Sequence, residues 1–478
     1  MIKILKTFPK EIYFLRYTEM WDLFSRIGIM VLLVFYLTRV FKLSDAKSFV
    51  IYGTFISLSY VTSLVGGILC DKFVNNTFLI ITGNIMMLIG NFILFFKKLD
   101  LVYLGLSIIA VGSGLFLPSI VTLFSQIYDK NDKTRDAGFT LYYLVKNVAY
   151  LLAPILCGIV GETYGLNYAF IVSGIGMLSG LLVFLFAKNK FLKYETIKTK
   201  ITIRKKIFSA IIILITTLIT FSILVLNLEG NLLIFVVPAA IIYLIFYMIK
   251  KTKIEKKNVL IIFLLLFFVT VFSTILGQGG TTINLFIERI INRHFFSLVI
   301  PPEFFYSLDP FFMMIFGALL INLWLKLSKK KLEPNSITKL TICFFVFAIG
   351  FSVIALAALN ATFFGKSSFL FIILAYALFP IAELLIMPIT LSKITKLAPK
   401  DLKGFMISMW MLTSAISSYF TGIFSKIGTV NFRIENLNSL KKASHVYFKI
   451  FFISTIILIA CGFLLLFLKR VFKSLNSI

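Results

Sequence analysis

Long apolar stretches constrain the fold of this chain more than any other feature of its sequence. Fourteen stretches of about 18 residues or more are apolar enough to cross a bilayer, and short polar or basic segments separate them. Backbone polar groups surrounded by lipid must be satisfied within helices, so the pattern predicts an all-α membrane protein. The predicted spans lie near residues 13–40, 48–70, 77–97, 101–128, 138–160, 166–187, 207–226, 232–249, 259–290, 306–327, 337–359, 368–393, 404–426 and 444–468.

The composition agrees with a protein whose surroundings are a lipid bilayer. Of the 478 residues, 59% are hydrophobic, and the mean hydropathy is +0.99. The net charge of +28 is also compatible with nucleic-acid binding, but the basic residues lie between the apolar stretches, where membrane topology explains them. We therefore expect no nucleic-acid partner.

Cysteine and histidine are too few to support a metal site, a cofactor or a catalytic set. Each of the four cysteines lies within a predicted span, and the sequence contains only two histidines, His294 and His445. A zinc site needs several such ligands close together. A Ser–His catalytic set needs a histidine beside its nucleophile, yet both histidines fall near the ends of their spans. We predict no metal, no cofactor and no enzymatic activity.

The distribution of Lys and Arg between the spans predicts the orientation of the chain. Residues 188–206 contain eight basic residues and residues 250–257 contain five, whereas residues 161–167 and 227–231 contain none. Segments rich in Lys and Arg remain in the cytoplasm. We therefore predict that both termini are cytoplasmic and that the protein is a multi-pass protein of the cell (inner) membrane.

The order of spans and basic linkers predicts three parts. Residues 1–190 form an N-terminal six-helix bundle, residues 191–258 form basic linkers with an inserted two-helix hairpin, and residues 259–478 form a C-terminal six-helix bundle. This arrangement resembles the major facilitator fold, in which the substrate site lies between two six-helix halves. The resemblance predicts 14 transmembrane helices and a central cavity between the two bundles.

Three charged residues lie within the first predicted span. Glu19, Asp22 and Arg26 are spaced so that they stack along one helical face. Arg26 would lie about 20 Å into the membrane, where a charge normally faces protein or a water-filled cavity. Two interpretations remain open: a structural ladder of ion pairs within the helix, or the polar floor of a transport pathway.

A short motif after the second span resembles a signature of the major facilitator superfamily. It reads Gly66-Gly67-Ile68-Leu69-Cys70-Asp71-Lys72. The glycine is expected to permit close approach of a neighbouring helix, and Asp71 and Lys72 are predicted to have gating or structural roles. Val74-Asn75-Asn76 stand where the superfamily pattern continues with a glycine and basic residues.

Motifs along nearly the whole chain resemble the proton-dependent oligopeptide transporter (POT) family. The fourth and fifth spans carry Gly112-Ser113-Gly114-Leu115-Phe116-Leu117-Pro118 and Arg135-Asp136-Ala137-Gly138-Phe139, followed by Asn147 and Ala153-Pro154. These resemble the family patterns GxGxFxKPN and RDAGF with its downstream asparagine and proline. Further resemblances lie at Gln278, Asn284-Leu285-Phe286, Ser307-Leu308-Asp309-Pro310, Glu383-Leu384 and Met409-Trp410.

The resemblance fails at several charged positions. In the first span, Glu19 and Gly28 match the family pattern ExxERFxYYG, and Asp22 shortens its second acid. Apolar residues or glycine stand where the family has an arginine, a lysine and a glutamate: Leu23, Leu117 and Gly277. Charges that the family patterns lack stand at Arg26, Lys146 and Asp309.

The family resemblance implies a secondary transporter that works by alternating access, with a short peptide or similar small molecule as substrate and protons as the coupling ion. Candidate substrate-binding residues are Glu383, Asn147, Lys146, Arg26, Trp410, Gln278 and Asn284; candidate proton-coupling residues are Glu19 and Asp22. Candidate gating or structural residues are Glu288, Arg289 and Asp309, together with Asp71 and Lys72. We expect a monomer. The alternative is the same fold moving a non-peptide amphoteric or anionic metabolite, with or without a coupled proton.

Some of these residues have a structural alternative. Asp309 sits beside Pro310 at a helix start, where it is expected to cap the helix. Asn147 could equally hydrogen-bond between helices, and Glu288 with Arg289 could form an outer gate or an interfacial pair. Lys146 lies at a depth similar to those of Glu19 and Asp22, about 12 Å. We predict that it neighbours one of these acids; the alternative is that it extends to the cytoplasmic surface.

Overall fold

The structure, a computed structural model, describes residues 10–127, 135–194, 202–226, 253–332, 334–397 and 403–473. These ranges are folded almost entirely into α-helices, with four very short strands. The helices are α1 Lys10–Phe35, α2 Asp45–Lys72, α3 Asn76–Leu94, α4 Leu99–Ile127, α5 Arg135–Tyr164, α6 Leu166–Phe191, α7 Ile203–Leu226, α8 Lys253–Leu276, α9 Thr282–Ile290, α10 Leu308–Lys329, α11 Ser336–Phe364, α12 Leu370–Leu397, α13 Lys403–Ser425 and α14 Leu437–Lys473.

The strands join loops at the ends of the helices. β1 (Ile291–Asn292), which follows α9, pairs in parallel with β4 (Ser367–Ser368), which precedes α12. β2 (His294–Phe295) and β3 (Leu298–Val299) form an antiparallel hairpin. These two strand pairs hold the segment after α9 in place but are not part of the helical core.

Asparagine and glycine residues set the ends of several helices. The side chain of Asn75 accepts a hydrogen bond from the backbone N–H of Phe78 at the start of α3. Asn335 does the same for Thr338 at the start of α11. Both are N-caps, which satisfy a backbone donor that the helix itself cannot. α11 ends at Gly365, whose φ of +90° is a conformation that favours glycine.

Eleven helical segments in the described ranges are long and apolar enough to cross a membrane, which identifies a multi-pass membrane protein. The predicted total of 14 stays a prediction, because the expected span at 232–249 lies outside the described residues. The expected span at 259–290 corresponds to one candidate membrane span, Lys256–Ile290. Within this span α8 is followed by a 3₁₀ turn at Gly277–Gly280 and then by α9, because three glycines among four residues weaken the α-helix.

The described helices belong to two compact units. The first comprises residues 1–43 and 54–229, and the second comprises residues 44–53 and 230–478, so the boundary lies within α2. In the first unit, α1 packs against α5 and α6, and α3 packs against α4 and α6. In the second unit, α11 packs against α12 and α14, and α10 packs against α12. The domain boundaries predicted from the linkers stay a prediction.

Glycines permit the closest helix crossings in the first unit. A Cβ on Gly83 of α3 would lie 2.6 Å from the carbonyl oxygen of Gly112 on α4. A Cβ on Gly66 of α2 would collide with the carbonyl of Gly114 on α4. The close approach predicted for the glycine of the Gly-x-x-x-Asp-Lys motif is therefore wrong for that glycine, Gly67, and is made by the preceding residue, Gly66. Its neighbour Gly67, which begins the spacing to Asp71, faces open space.

Candidate functional site

The charged residues of α1 form two ion pairs along one helical face. Arg16 Nη1 lies 3.1 Å from Glu19 Oε2. Arg26 donates hydrogen bonds from Nε and Nη2 to Asp22 Oδ2, at 3.1 and 2.9 Å. These spacings of three and four residues allow side chains to meet on a helix. The ladder of intrahelical ion pairs is therefore present, with Arg16 as a fourth member that the sequence analysis missed.

Packing fixes the position of α1. The indole of Trp21 lies against Gly176 and Gly180 of α6. Thr18 donates a hydrogen bond to the carbonyl oxygen of Gly180 at 3.1 Å. Asn91 of α3 donates one to the hydroxyl of Ser25 at 2.8 Å. Because α1 is held from two neighbouring helices, its charged side chains have a defined place in the first unit.

Arg26 is the member of the ladder that is suited to bind a ligand. Its side chain is 16% exposed, whereas that of Asp22 is 0% exposed. Tyr60 on α2 and Tyr150 on α5 are near enough to interact with it electrostatically. A guanidinium group has five N–H donors, and the hydrogen bonds to Asp22 occupy only part of them. Arg26 with these two phenols can therefore hold an anionic group.

The predicted site residues of α5 are only partly described. Asn147 is buried, with 6% of its surface exposed. Lys146 lies on the same helix, but its side chain is outside the described residues, so its predicted neighbourhood with Glu19 or Asp22 stays a prediction. The described partners of these acids are Arg16 and Arg26. The side chains of Asp71 and Lys72 also lie outside the description.

In the second unit, two carboxylates from different helices come together. Asp309 on α10 and Glu383 on α12 are near enough to interact electrostatically. Within the described residues no capping hydrogen bond to Asp309 is formed, and its Oδ1 is buried without a partner there. The expected capping role is therefore wrong within this part of the chain, because the carboxylate makes no capping hydrogen bond and instead lies near enough to Glu383 to interact with it.

Gln278 and Asn284 lie where the seventh span is broken. Gln278 donates to the hydroxyl of Ser454 on α14 at 2.9 Å and accepts from the hydroxyl of Thr282 at 3.1 Å. Thr281 hydrogen-bonds Ser425 at 2.7 Å. These bonds satisfy polar groups around the 3₁₀ turn, and they use both ends of the Gln278 amide. Asn284 is buried, with 1% of its surface exposed.

Trp410 lies on α13 of the second unit with its ring half-buried. Its indole Nε1 is buried and has no hydrogen-bond partner within the described residues. A buried indole N–H normally finds a partner. Trp410 can thus offer one donor and a flat apolar surface to a ligand.

A further ion pair joins the start of α2 to the end of α9, both in the second unit. Arg289 donates to both oxygens of Asp45, at 2.6 and 2.9 Å. The hydroxyl of Tyr447 accepts from Arg289 at 3.3 Å, and the backbone N–H of Val430 donates to Asp45 at 3.3 Å. Glu288 is more distant, 4.0 Å from Arg289 Nε. The main partner of Arg289 is thus Asp45, which the sequence analysis missed.

All four cysteines are free and buried. Within the described ranges, no group of three or more His, Cys, Asp or Glu side chains could hold a metal ion.

Comparison with known sequences decides the family. The sequence pattern of the POT family matches residues 77–433, which is well over half of the chain. This chain belongs to the POT family. The predicted recognition and the predicted class of function, a secondary transporter and not an enzyme, are thereby confirmed.

Several known relatives of this POT family member are similar along most of their length. It is 29% identical to a peptide transporter, YePEPT, of Yersinia enterocolitica, over 85% of each chain. It is 29% identical to a dipeptide and tripeptide permease A of Chromobacterium violaceum, over 92% of this chain and 90% of the relative. An uncharacterized transporter of Bacillus subtilis, YclF, is 28% identical over 88% of this chain and 89% of the relative.

Solved structures of the family have the same fold. A crystal structure of a peptide transporter POT in complex with sulfate aligns with a TM-score of 0.82 at 24% identity, covering 97% of this chain and 95% of that chain. A structure of tetrameric PepTSo2 aligns with a TM-score of 0.83 at 21% identity, covering 97% and 98%. The predicted all-α membrane fold is therefore confirmed, apart from the number of its spans.

Proposed function

We propose that this POT family member carries short peptides across the membrane by alternating access, driven by protons. The family match over residues 77–433 carries the proposal, and relatives named as peptide transporters support it. These comparisons do not favour the alternative, in which the substrate is a non-peptide metabolite. The first unit contains a guanidinium group suited to a carboxylate, and the second unit contains a carboxylate suited to an ammonium group.

Arg26 is the proposed partner of the peptide carboxylate. Its guanidinium can exchange a hydrogen bond to Asp22 for one to a ligand, while Tyr60 and Tyr150 lie near enough to assist. Asp22 is buried, and a buried carboxylate that loses its cationic partner takes up a proton. Substrate binding at Arg26 and proton binding at Asp22 would thereby be coupled. Glu19, paired with Arg16, is the second candidate for proton coupling.

Glu383 is the proposed partner of the peptide ammonium group. It lies within α12, thirteen residues after Leu370, so it is far from the polar ends of that helix. A carboxylate in such surroundings is rare and usually functional. Trp410, with its unsatisfied indole N–H, and buried Asn147 complete the proposed substrate contacts.

Asp45 and Arg289 are the proposed gate of the second unit. Their bidentate ion pair is mostly buried and is extended by Tyr447 and Val430. Such a pair is strong while it is formed and can be broken as a unit. We further propose that both termini face the cytoplasm, so that this pair lies near the outer surface of the cell membrane, and that a single chain is a complete carrier.

Exchange of a labelled dipeptide in proteoliposomes tests the proposed function. Vesicles loaded with unlabelled dialanine should take up labelled dialanine, and vesicles without protein should not. Excess unlabelled dialanine should compete. Dialanine with an acetylated amine and an amidated carboxyl should not, because it has no ammonium group for Glu383 and no carboxylate for Arg26 to bind. Absence of exchange, or equal competition by the blocked compound, would contradict the proposal.

A further inference from the structure

Three polar side chains of the second unit form a cluster that the proposed function uses only in part. Tyr376 and Glu383 are seven residues apart on α12, so they share one face and lie about 10 Å apart along it. α10 packs against α12, and Asp309 of α10 is near enough to interact electrostatically with both residues. The carboxylate of Asp309 is thus placed beside a second carboxylate and a phenol.

Two atoms of this cluster are buried without hydrogen bonds. Tyr376 is 3% exposed, and its hydroxyl has no partner within the described residues. Asp309 Oδ1 is also buried and has no hydrogen-bond partner within the described residues. Burying such groups without a partner is unfavourable, so each is suited to bind a ligand or a proton. A phenol hydroxyl near a carboxylate can donate a hydrogen bond to it once the carboxylate is ionised.

No basic side chain of the described residues contributes to the electrostatic surroundings of either carboxylate. The thiol of Cys343 on α11 is near enough to interact electrostatically with Glu383, and Tyr376 on α12 with Asp309 and with Tyr52 of α2. The neighbouring helices α8, over residues 258–276, and α13, over residues 406–425, contain no Asp, Glu, Lys, Arg or His. Two carboxylates so placed cannot both stay ionised at low cost.

We infer that Asp309 and Glu383 form a proton-binding pair in the second unit. One carboxylate, Asp309, takes a proton from water on one side of the membrane and becomes a neutral acid. The other, Glu383, stays ionised and binds the ammonium group of the substrate. The loaded pair then carries no net charge, and the proton leaves to water on the other side as the substrate leaves.

This inference rests on the proposed function, because it needs a cationic substrate group at Glu383. It adds a proton site separate from Asp22 and Glu19, which lie in the other unit. It also gives Tyr376 a role, because its hydroxyl would stabilise the ionised state of Asp309 by donating a hydrogen bond.

The number of coupled protons tests the inference. Each proton that moves with the substrate lets a gradient of one pH unit support about tenfold more accumulation when the membrane potential is held at zero. We expect Asp309→Asn, which keeps the shape but cannot titrate, to exchange labelled dialanine and to accumulate it about tenfold less than the wild type at that gradient. Asp100→Asn, at an exposed aspartate of α4, should match the wild type in both measurements.

Each outcome has a distinct meaning. If the wild type shows no dialanine exchange, the proposed function fails and the inference fails with it. If the wild type exchanges and accumulates dialanine but Asp309→Asn accumulates it equally well, only the inference is overturned. Loss of exchange in folded, monodisperse Asp309→Asn also overturns it, because a proton site is not needed for exchange.

A second variant covers the case in which Asp309→Asn does not fold. Tyr376→Phe removes only the hydroxyl, so protonation of the pair should become easier and the pH of half-maximal accumulation should rise. An unchanged pH profile in Tyr376→Phe would overturn the inference.

Discussion

At the scale of single residues, the pair of Arg26 and Asp22 is the place where the two interpretations, a structural ion ladder and a substrate site, can be told apart. The spacing in the sequence was enough to predict that the acids and Arg26 share a face of α1. It did not reveal Arg16, although an arginine three residues before Glu19 was a usable signal, nor the phenols of Tyr60 and Tyr150, which come from other helices. Those neighbours depend on tertiary packing, which local patterns in the sequence do not reveal.

We predict that Arg26→Met will be destabilised more than the double variant Asp22→Asn with Arg26→Met. The single change takes the guanidinium away from the buried carboxylate of Asp22, which costs about 3–5 kcal/mol, whereas the double change removes both charges. Thermal unfolding of the purified proteins measures this. Arg39→Met is the control, since its pair with Glu162 is partly exposed and worth at most about 1 kcal/mol.

Transport by the double variant separates the two interpretations. If Arg26 binds the peptide carboxylate, Asp22→Asn with Arg26→Met should be stable but should not exchange labelled dialanine. Restored exchange would show that the two residues form only a structural ladder.

Glu383→Gln should fold and yet lose most exchange of peptides that carry a free amine. The neutral amide keeps the shape of the side chain but not its charge, and charge-assisted hydrogen bonds are about twice as strong as neutral ones. Initial rates of labelled dialanine exchange measure the effect, with Glu435→Gln, at an exposed site, as the control. Normal exchange by Glu383→Gln would rule out its role as the amine partner.

At the level of helices, glycines decide how closely neighbours pack and where one span breaks. The motif in the sequence predicted a close helix approach at Gly67, but the adjacent Gly66 makes it. Likewise, hydropathy predicted one span at 259–290, and the glycines at 277–280 interrupt its α-helix with a 3₁₀ turn. Local patterns thus place the helices, and tertiary contacts decide their fine geometry.

Gly66→Ala should destabilise the protein, and Gly67→Ala should not. The added Cβ at Gly66 would meet the backbone of Gly114, which cannot move aside easily, and such overpacking costs about 1–3 kcal/mol. At Gly67 nothing lies within 4 Å, and alanine favours the helix by up to about 1 kcal/mol. Thermal unfolding of the two variants measures the difference in stability. An equal loss of stability in both would contradict the prediction.

For the whole molecule, hydropathy, loop charge and family motifs were sufficient to predict the fold class and the transporter family. The individual sites were less predictable, because their charges differ from the family pattern. Asp309 was expected to cap a helix, but it faces Glu383, and Arg289 pairs with Asp45 from a distant part of the sequence. Such pairings over long sequence separations leave no local signal.

The proposed orientation can be measured with single cysteines in a variant that lacks the four native ones. We expect a cysteine at Ser368, an exposed residue before α12, to react with an impermeant maleimide added to intact cells. A cysteine at Thr202, exposed before α7, should react only after the membrane is opened. The reverse pattern would mean that the termini lie outside.

The central claim, that this chain is a proton-driven peptide transporter, is tested most directly by accumulation of a labelled dipeptide in proteoliposomes. With the outside one pH unit more acidic and the membrane potential held at zero, dialanine should accumulate about tenfold for each coupled proton. Without the gradient it should only equilibrate. Equilibration under both conditions, or no entry of dialanine at all, would contradict the claim.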